Sequence, residues 1–177
     1  MKVRHLALLF ACAVVIAAGP AVAQTPPAPE PNLADVIPDQ MPFNTPYGAP
    51  IGLEQARKLI AAVEADAKRR GWPENVTVVD SAGNLVAFDR MDGAALASID
   101  VSQHKARTAV LYRRDTKVWE DAVQHGGIGV VSLDGVIASR GGFPLIENGK
   151  IIGAIGCFGG TGSQDAAVCS VGVGMVK

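Results

Sequence analysis

The sequence VVDSAGNLVAFDRMDGA, at residues 78–94, predicts a β-hairpin that ends in a polar cluster. Two apolar segments flank residues 80–84 (DSAGN), where Asp and Asn bond to nearby backbone groups and Gly accepts a positive φ. The second segment, residues 85–88 (LVAF), is continuously apolar, which predicts a strand buried on both faces. Residues 90–92 (RMD) follow at the strand end, where a rigid scaffold presents binding residues to solvent. A plain hairpin with a surface ion pair is the alternative interpretation.

The first 23 residues have the pattern of a secretory signal peptide. Lys2 and Arg4 form a short positive region, residues 6–18 are apolar, and small residues ending at Ala23 resemble a cleavage site. An apolar segment of about 13 residues is too short to cross a bilayer as a helix. We therefore expect an exported protein, periplasmic or extracellular after cleavage near Ala23.

The composition of the remaining chain is that of a small, mildly acidic globular protein. Removing 23 of 177 residues leaves 154, enough for one domain with its own core. Cleavage removes two positive charges, so the formal net charge changes from −1 to −3. This charge predicts no nucleic-acid partner and no membrane insertion of the mature chain.

Two cysteines, Cys157 and Cys169, remain after signal cleavage. Export allows a disulfide between them, but their positions in an apolar strand and an amphipathic helix favour two buried thiols.

Residues 24–50 differ from the rest because they contain eight of the eleven prolines. This composition predicts an extended N-terminal arm. Apolar residues in the arm, including Phe43 and Tyr47, indicate that part of it packs on the domain or on a neighbouring subunit.

Hydrophobic periodicity predicts one domain over residues 51–177. Residues 53–70 are the clearest helix, because an apolar stripe runs along it and Gly71 follows. Thr116 and Ser163 are predicted N-caps of later helices. The other predicted helices cover residues 98–113, 116–124 and 163–171. The predicted strands cover residues 76–79, 85–88, 136–139, 144–147 and 150–158. Together they predict an α+β domain with a five-stranded, mainly antiparallel sheet.

Few residues are available for chemistry, since only two of the three histidines lie outside the signal peptide. His104 falls on a mixed helix face, which fits a solvated or interface histidine, an axial ligand to haem iron, or a polar site with Lys105. His125 ends a helix, where an imidazole interacts favourably with helix carbonyls, so capping and ligation both explain it. Further candidate iron ligands, each also explained by packing, are Met41, Met91 and Tyr112.

The glycine-rich residues 159–165 (GGTGSQD) follow a strand and open a helix, as a phosphate-binding loop does. The Walker lysine and the Gly-x-Gly-x-x-Gly spacing are both missing. The segment therefore predicts a turn that ends in a helix cap. The chain also lacks the spacings of structural zinc sites and of serine hydrolases.

Five sequence blocks, taken in order, resemble the GlcG/HbpS family, which also contains the C-terminal domain of the PduO cobalamin adenosyltransferases. The blocks are residues 79–85 (VDSAGNL), 90–94 (RMDGA), 105–109 (KARTA), 141–145 with 149–156 (GGFPL and GKIIGAIG), and 164–165 (QD). The resemblance implies a profilin-like single domain with a five-stranded antiparallel sheet flanked by helices. It also implies homo-oligomers from dimer to octamer. Exported HbpS-like members bind haem, and some act beside a membrane sensor kinase.

The leading interpretation from this resemblance is an exported haem-binding protein for haem capture, buffering or redox sensing. His104 is the first candidate iron ligand and His125 the second, while Arg90 or Lys105 pairs with a propionate. Within this interpretation we favour a protein that binds haem without catalysing a reaction. Peroxidase-like or haem-degrading activity stays open as an alternative. Phe158 stands where relatives commonly carry a small hydroxyl residue, so it either closes a polar site or adds an apolar wall for a porphyrin.

Two alternatives come from other classes of function. The first is an enzyme or binding protein for a small organic acid, with Lys105 holding the carboxylate and Asp92 acting as acid or base. The residues expected to line this pocket are Arg90, Met91, Asp92, Lys105, Gly141, Gly142 and Phe158. The second alternative is an oligomeric signalling module that needs no ligand.

Overall fold

The computed structural model describes residues 39–41 and 43–177. The predicted signal peptide and the first part of the predicted arm lie outside the described residues. Within the described part, no helix combines the length and the apolar character needed to cross a membrane.

Four helices and four strands form the described part of the chain, together with one short 3-10 helix at Ile128–Ser132. In chain order they are α1 (Leu53–Arg70), β1 (Asn75–Asp80), β2 (Leu85–Arg90), α2 (Ser98–Leu111), α3 (Lys117–Gln124), β3 (Gly142–Glu147), β4 (Lys150–Phe158) and α4 (Gly162–Val173). The sheet has the order β2-β1-β4-β3, and every neighbouring pair is antiparallel. The α+β class with an antiparallel sheet flanked by helices is confirmed.

The predicted fifth strand, at residues 136–139, is wrong. This segment runs without strand pairing, and its backbone is bound by α2 instead. The Thr108 hydroxyl donates to the Gly135 carbonyl at 2.7 Å and accepts from the Ile137 amide at 3.2 Å. An apolar tetrapeptide has the same sequence signature whether a strand or a side chain satisfies its backbone.

The helices cover both faces of the sheet. Residues of α1 and α4 form one core cluster with Val76, Val78 and Ile155. On the other face, α2 packs Ala106, Ala109 and Val110 against Ile151 and Ala154. A Cβ at Gly156 would lie 2.2 Å from the Ser102 carbonyl oxygen, so α2 approaches the sheet as closely as a glycine allows.

Strand β2 is half exposed, which corrects the prediction that residues 85–88 are buried on both faces. β2 is an edge strand with β1 as its one neighbour in the sheet, and 55% of Leu85 is exposed. The turn before it is as predicted. The Asp80 carboxylate accepts from the amides of Ala82 and Asn84, both at 2.9 Å, and Gly83 has a φ of 84°.

The helix ends are partly as predicted. Gly71 closes α1 with a φ of 70°. Thr116 is the N-cap residue of α3, as predicted, but its side chain forms no capping hydrogen bond and its hydroxyl accepts from the Gly142 amide at 2.9 Å. The prediction for α4 is wrong, because its N-cap is Thr161, which forms a capping box with Gln164, and not Ser163.

A disulfide joins Cys157 of β4 to Cys169 of α4, so the preference for two free thiols was wrong. Both cysteines are fully buried in the same core. The described end of the arm also lies against the domain. The Tyr47 hydroxyl donates to the carbonyls of Val110, at 2.9 Å, and Leu111, at 3.2 Å.

Candidate functional site

Two candidate sites lie on opposite faces of α2. We call the first the outer groove; it is lined by Asp100, Gln103, His104, Arg107, Leu111, Asp134 and Gly135. We call the second the buried cluster; it consists of Glu74, Lys105 and Asp165, all without exposed surface.

The outer groove has a volume of about 440 Å³. Its five residues from α2 recur at the three- and four-residue spacing of one helix face. The opposite wall comes from the chain before β3. The Tyr112 hydroxyl donates to the Asp134 carbonyl at 2.6 Å, and the Thr108 hydroxyl donates to that of Gly135. The side chains of Thr108 in α2 and of its C-cap residue Tyr112 thus connect the two walls.

The groove combines three kinds of chemistry. His104 is exposed and offers an imidazole nitrogen, which is a common metal ligand. Arg107 is an exposed cation one turn along the helix, suited to a carboxylate. Leu111 adds apolar surface and is 50% exposed. Three exposed hydrophobic side chains precede Asp134 in the chain, outside the lining of the groove, namely Ile128, Val131 and Leu133.

His125, the second candidate ligand, lies outside the lining of this groove. It is the C-cap residue of α3, and its Nδ1 lies 2.7 Å from the Asp121 carbonyl oxygen. The structure therefore gives His125 the capping contact that its position in the sequence indicates.

Lys105 points into the protein. Its ammonium donates to the Asp165 carboxylate at 2.7 Å and to the Cys157 carbonyl at 3.1 Å, and lies 4.5 Å from the centroid of the Phe158 ring. Burial lowers the pKa of this ammonium, and the charge of Asp165 opposes that shift. Lys105 and Asp165 are a buried ion pair that joins α2 to α4 across the end of the sheet.

Asp165 also explains the glycine-rich loop. Its other carboxylate oxygen accepts from the amides of Gly159 and Gly160, at 3.1 and 3.0 Å. The loop amides thus bind a carboxylate of the same chain, and Thr161 then caps α4. This confirms the interpretation as a turn that ends in a helix cap.

Glu74, just before β1, is a buried residue that the sequence interpretation missed. Neither of its carboxyl oxygens receives a hydrogen bond from the residues that the structure describes, and the group lies close to the Asp165 carboxylate. Burial, followed by the charge of nearby Asp165, raises the pKa of Glu74 to about 8, and the charge of Lys105 opposes the shift. The one available signal is its position directly before β1, whose sequence NVTVVD is rich in β-branched residues.

The residues of the predicted organic-acid pocket are only partly brought together. Lys105 and Phe158 are in contact, and Gly141 leaves room for both members of the ion pair. A Cβ on Gly141 would lie 2.9 Å from the Asp165 Cβ and 3.1 Å from the Lys105 Nζ. A Cβ on Gly142 would overlap the Lys105 carbonyl oxygen.

The 90–92 segment divides between surface and interior. Met91 is buried, and its sulfur accepts from the Glu74 amide at 3.4 Å. Arg90 and Asp92 on either side of it are exposed. Residues 39–41 and 43–177 contain no group of three or more His, Cys, Asp or Glu side chains that could hold a metal ion.

Comparison with known proteins gives a consistent result. A family model described as "Haem degrading protein HbpS-like" matches residues 51–174. The GlcG protein of Escherichia coli K12 is 39% identical over 103 residues, which cover 58% of this chain and 77% of GlcG.

Solved structures resemble the chain over a similar region. A structure described as a PduOC:heme complex has a TM-score of 0.66 and 27% identity, and the match covers 73% of this chain and 96% of that one. A double mutant of HbpS from Streptomyces reticuli has a TM-score of 0.68 and 27% identity, with 73% and 89% covered.

Proposed function

This chain belongs to the HbpS-like family, and from that premise we propose that it binds haem in the outer groove, with His104 as the iron ligand. The observation that carries the proposal is the position of His104. It is the exposed imidazole of a groove that also offers a cation and apolar surface. The described relative PduOC, whose structure is that of a haem complex, supports the choice of ligand.

The residues of the groove fit the chemical demands of haem. Iron takes an imidazole nitrogen, which His104 offers. The porphyrin needs apolar contact, for which the groove lining offers Leu111. A volume of about 440 Å³ lies within the range of small-molecule sites. When bound, haem supplies a redox-active iron, and the residues of this chain hold and orient it.

Arg107 is the residue that we assign to a haem propionate. A guanidinium binds a carboxylate through two parallel hydrogen bonds. Lys105 has no exposed surface, and its ammonium is engaged by Asp165 and Cys157. Arg90 is exposed but lies at the end of β2, outside the lining of the groove.

We further propose that the protein is exported and acts as a homo-oligomer in haem capture, buffering or redox sensing, with a membrane sensor kinase as its partner. The Cys157–Cys169 disulfide supports export, because such bonds form and persist in oxidising compartments. The signal-peptide pattern of residues 1–23 supports it independently.

The other two functions stay predictions. An organic acid held by Lys105 would require that Phe158 and the ion pair move, since Lys105 has no exposed surface. For a signalling module without a ligand, a ligand-free oligomer that binds a sensor domain is the expected finding.

A hemin titration followed by the Soret band tests the proposal. We expect saturable binding that His104→Ala weakens by roughly tenfold or more, equivalent to about 1.4 kcal/mol. His125→Ala is the matched control, because it removes an exposed imidazole outside the groove, and its affinity should equal that of the parent protein. A titration that does not saturate overturns haem binding. Saturable binding lost in His125→Ala alone overturns the assignment of the ligand.

A further inference from the structure

The buried cluster contains two carboxyl groups and one ammonium, all without exposed surface. Lys105 pairs with Asp165, whose carboxylate accepts three hydrogen bonds, one from Lys105 and one each from the Gly159 and Gly160 amides. Three donors stabilise a negative charge, so Asp165 is the ionised carboxylate of the cluster. Its charge balances that of Lys105.

Glu74 is then a second carboxyl group with no cation left for it. Neither of its oxygens receives a hydrogen bond from the part of the chain that the structure describes. A buried carboxylate without a partner is strongly disfavoured, and such a group takes up a proton instead. The geometry alone therefore favours a neutral Glu74 at neutral pH.

The surroundings of Glu74 are closed on every packed side. Asp165 from α4 and Lys105 from α2 are the charged groups that act on it. The end of β2 contributes the neutral thioether of Met91. After β4, the chain turns so closely that a Cβ on Gly159 would lie 2.8 Å from the Glu74 Cα. Lys105 is therefore the one cation that acts on Glu74 in the part of the chain that the structure describes.

We propose that Glu74 is a proton-binding site that links the folding of this domain to pH, and that its ionisation loosens the contact between α2 and α4 beneath Phe158. Ionised Glu74 adds a second negative charge beside Asp165 and competes for Lys105. Because that ammonium joins α2 to Asp165 of α4, the competition acts on the ion pair that links the two helices. The proposal does not depend on haem binding.

The direction of the pH dependence follows from the two states of the chain. Unfolded Glu74 titrates near its ordinary pKa of 4.5, whereas its pKa in the folded domain is about 8. Between those values the folded state holds one proton more, so unfolding releases a proton. The unfolding equilibrium constant therefore rises by up to about tenfold for each pH unit in this window. Outside the window, Glu74 contributes no slope.

Urea unfolding of the intact, oxidised protein at pH 5.5, 6.5 and 7.5 (about the middle of this window) tests the link. We expect Glu74→Gln to remove most of the dependence of the free energy of unfolding on pH, because an amide of the same shape stays neutral at all three pH values. Glu64→Gln is the matched control. It changes a glutamate of α1 that pairs with Lys68 at 3.0 Å, and its slope should equal that of the parent protein.

Infrared spectroscopy of the parent protein in D2O gives a second test that needs no variant to fold. With carbon-13-labelled glutamate, we expect a shifted band of a protonated carboxyl group at pH 6 that disappears above pH 8. Equal slopes in the parent protein and Glu74→Gln overturn the proposal. So does the absence of the labelled band at pH 6.

Discussion

The two faces of α2 place neighbouring residues in opposite environments. His104 is exposed in an open groove, whereas Lys105, the next residue, has no exposed surface and is bound on three sides. Successive residues of a helix point about 100° apart, which is enough to separate solvent from core. Of the family block at residues 105–109, only Arg107 is exposed. Four of the five residues of the block are therefore buried where α2 packs, and Arg107 lies on the face that we propose for haem.

Substitutions on the two faces of α2 should differ most in their effect on the free energy of unfolding. Lys105→Met should lower the free energy of unfolding by about 3–5 kcal/mol, because it leaves Asp165 as a buried charge without its cation. Arg107→Met is the matched control on the exposed face of the same helix and should change stability by less than about 0.5 kcal/mol. Urea unfolding at pH 6 measures both. Equal losses in the two variants would contradict the division of α2 into two faces.

The Cys157–Cys169 disulfide lies next to the buried ion pair, since Lys105 donates to the Cys157 carbonyl. Replacing both Cys157 and Cys169 by alanine should lower the free energy of unfolding by about 3 kcal/mol, as expected for a closed loop of this length. Reduction of the parent protein should shift its urea midpoint in the same direction. The hemin affinity of the outer groove should not change while the protein stays folded. A reduced protein as stable as the oxidised one would show that the bond does not contribute.

A smaller effect distinguishes the observed cap of α4 from the predicted one. Thr161→Ala should cost about 1 kcal/mol, because it removes the hydroxyl that accepts from the Gln164 amide. Ser163→Ala, two residues later and exposed, should be nearly neutral. Thermal unfolding of the two variants compares them directly. The reverse order of stabilities would restore the sequence-based prediction.

Local signals in the sequence were enough for much of the fold. The turn residues Asp80 to Asn84 and the stop at Gly71 specify their elements through contacts a few residues apart. The false strand at residues 136–139 arose because its partner is a side chain of α2, distant in sequence. The disulfide was missed for the same reason, since only the fold shows that Cys157 and Cys169 share a core.

The candidate sites were predictable to different degrees. The mixed helix pattern placed His104 on an accessible face, which the structure reproduces. The burial of Lys105 could not be predicted, because it depends on Asp165, 60 residues away. Lysine and glutamate are usually exposed, so no pattern in the sequence indicated that Glu74 and Lys105 share one buried cluster.

The most direct test of the account measures stability and hemin affinity together in His104→Ala. We predict that hemin affinity falls by roughly tenfold or more, while the free energy of unfolding changes by less than about 0.5 kcal/mol. That result would assign ligand binding to the outer face of α2 and leave its inner face to folding. An unchanged hemin affinity, or a large loss of stability in this variant, would contradict the account.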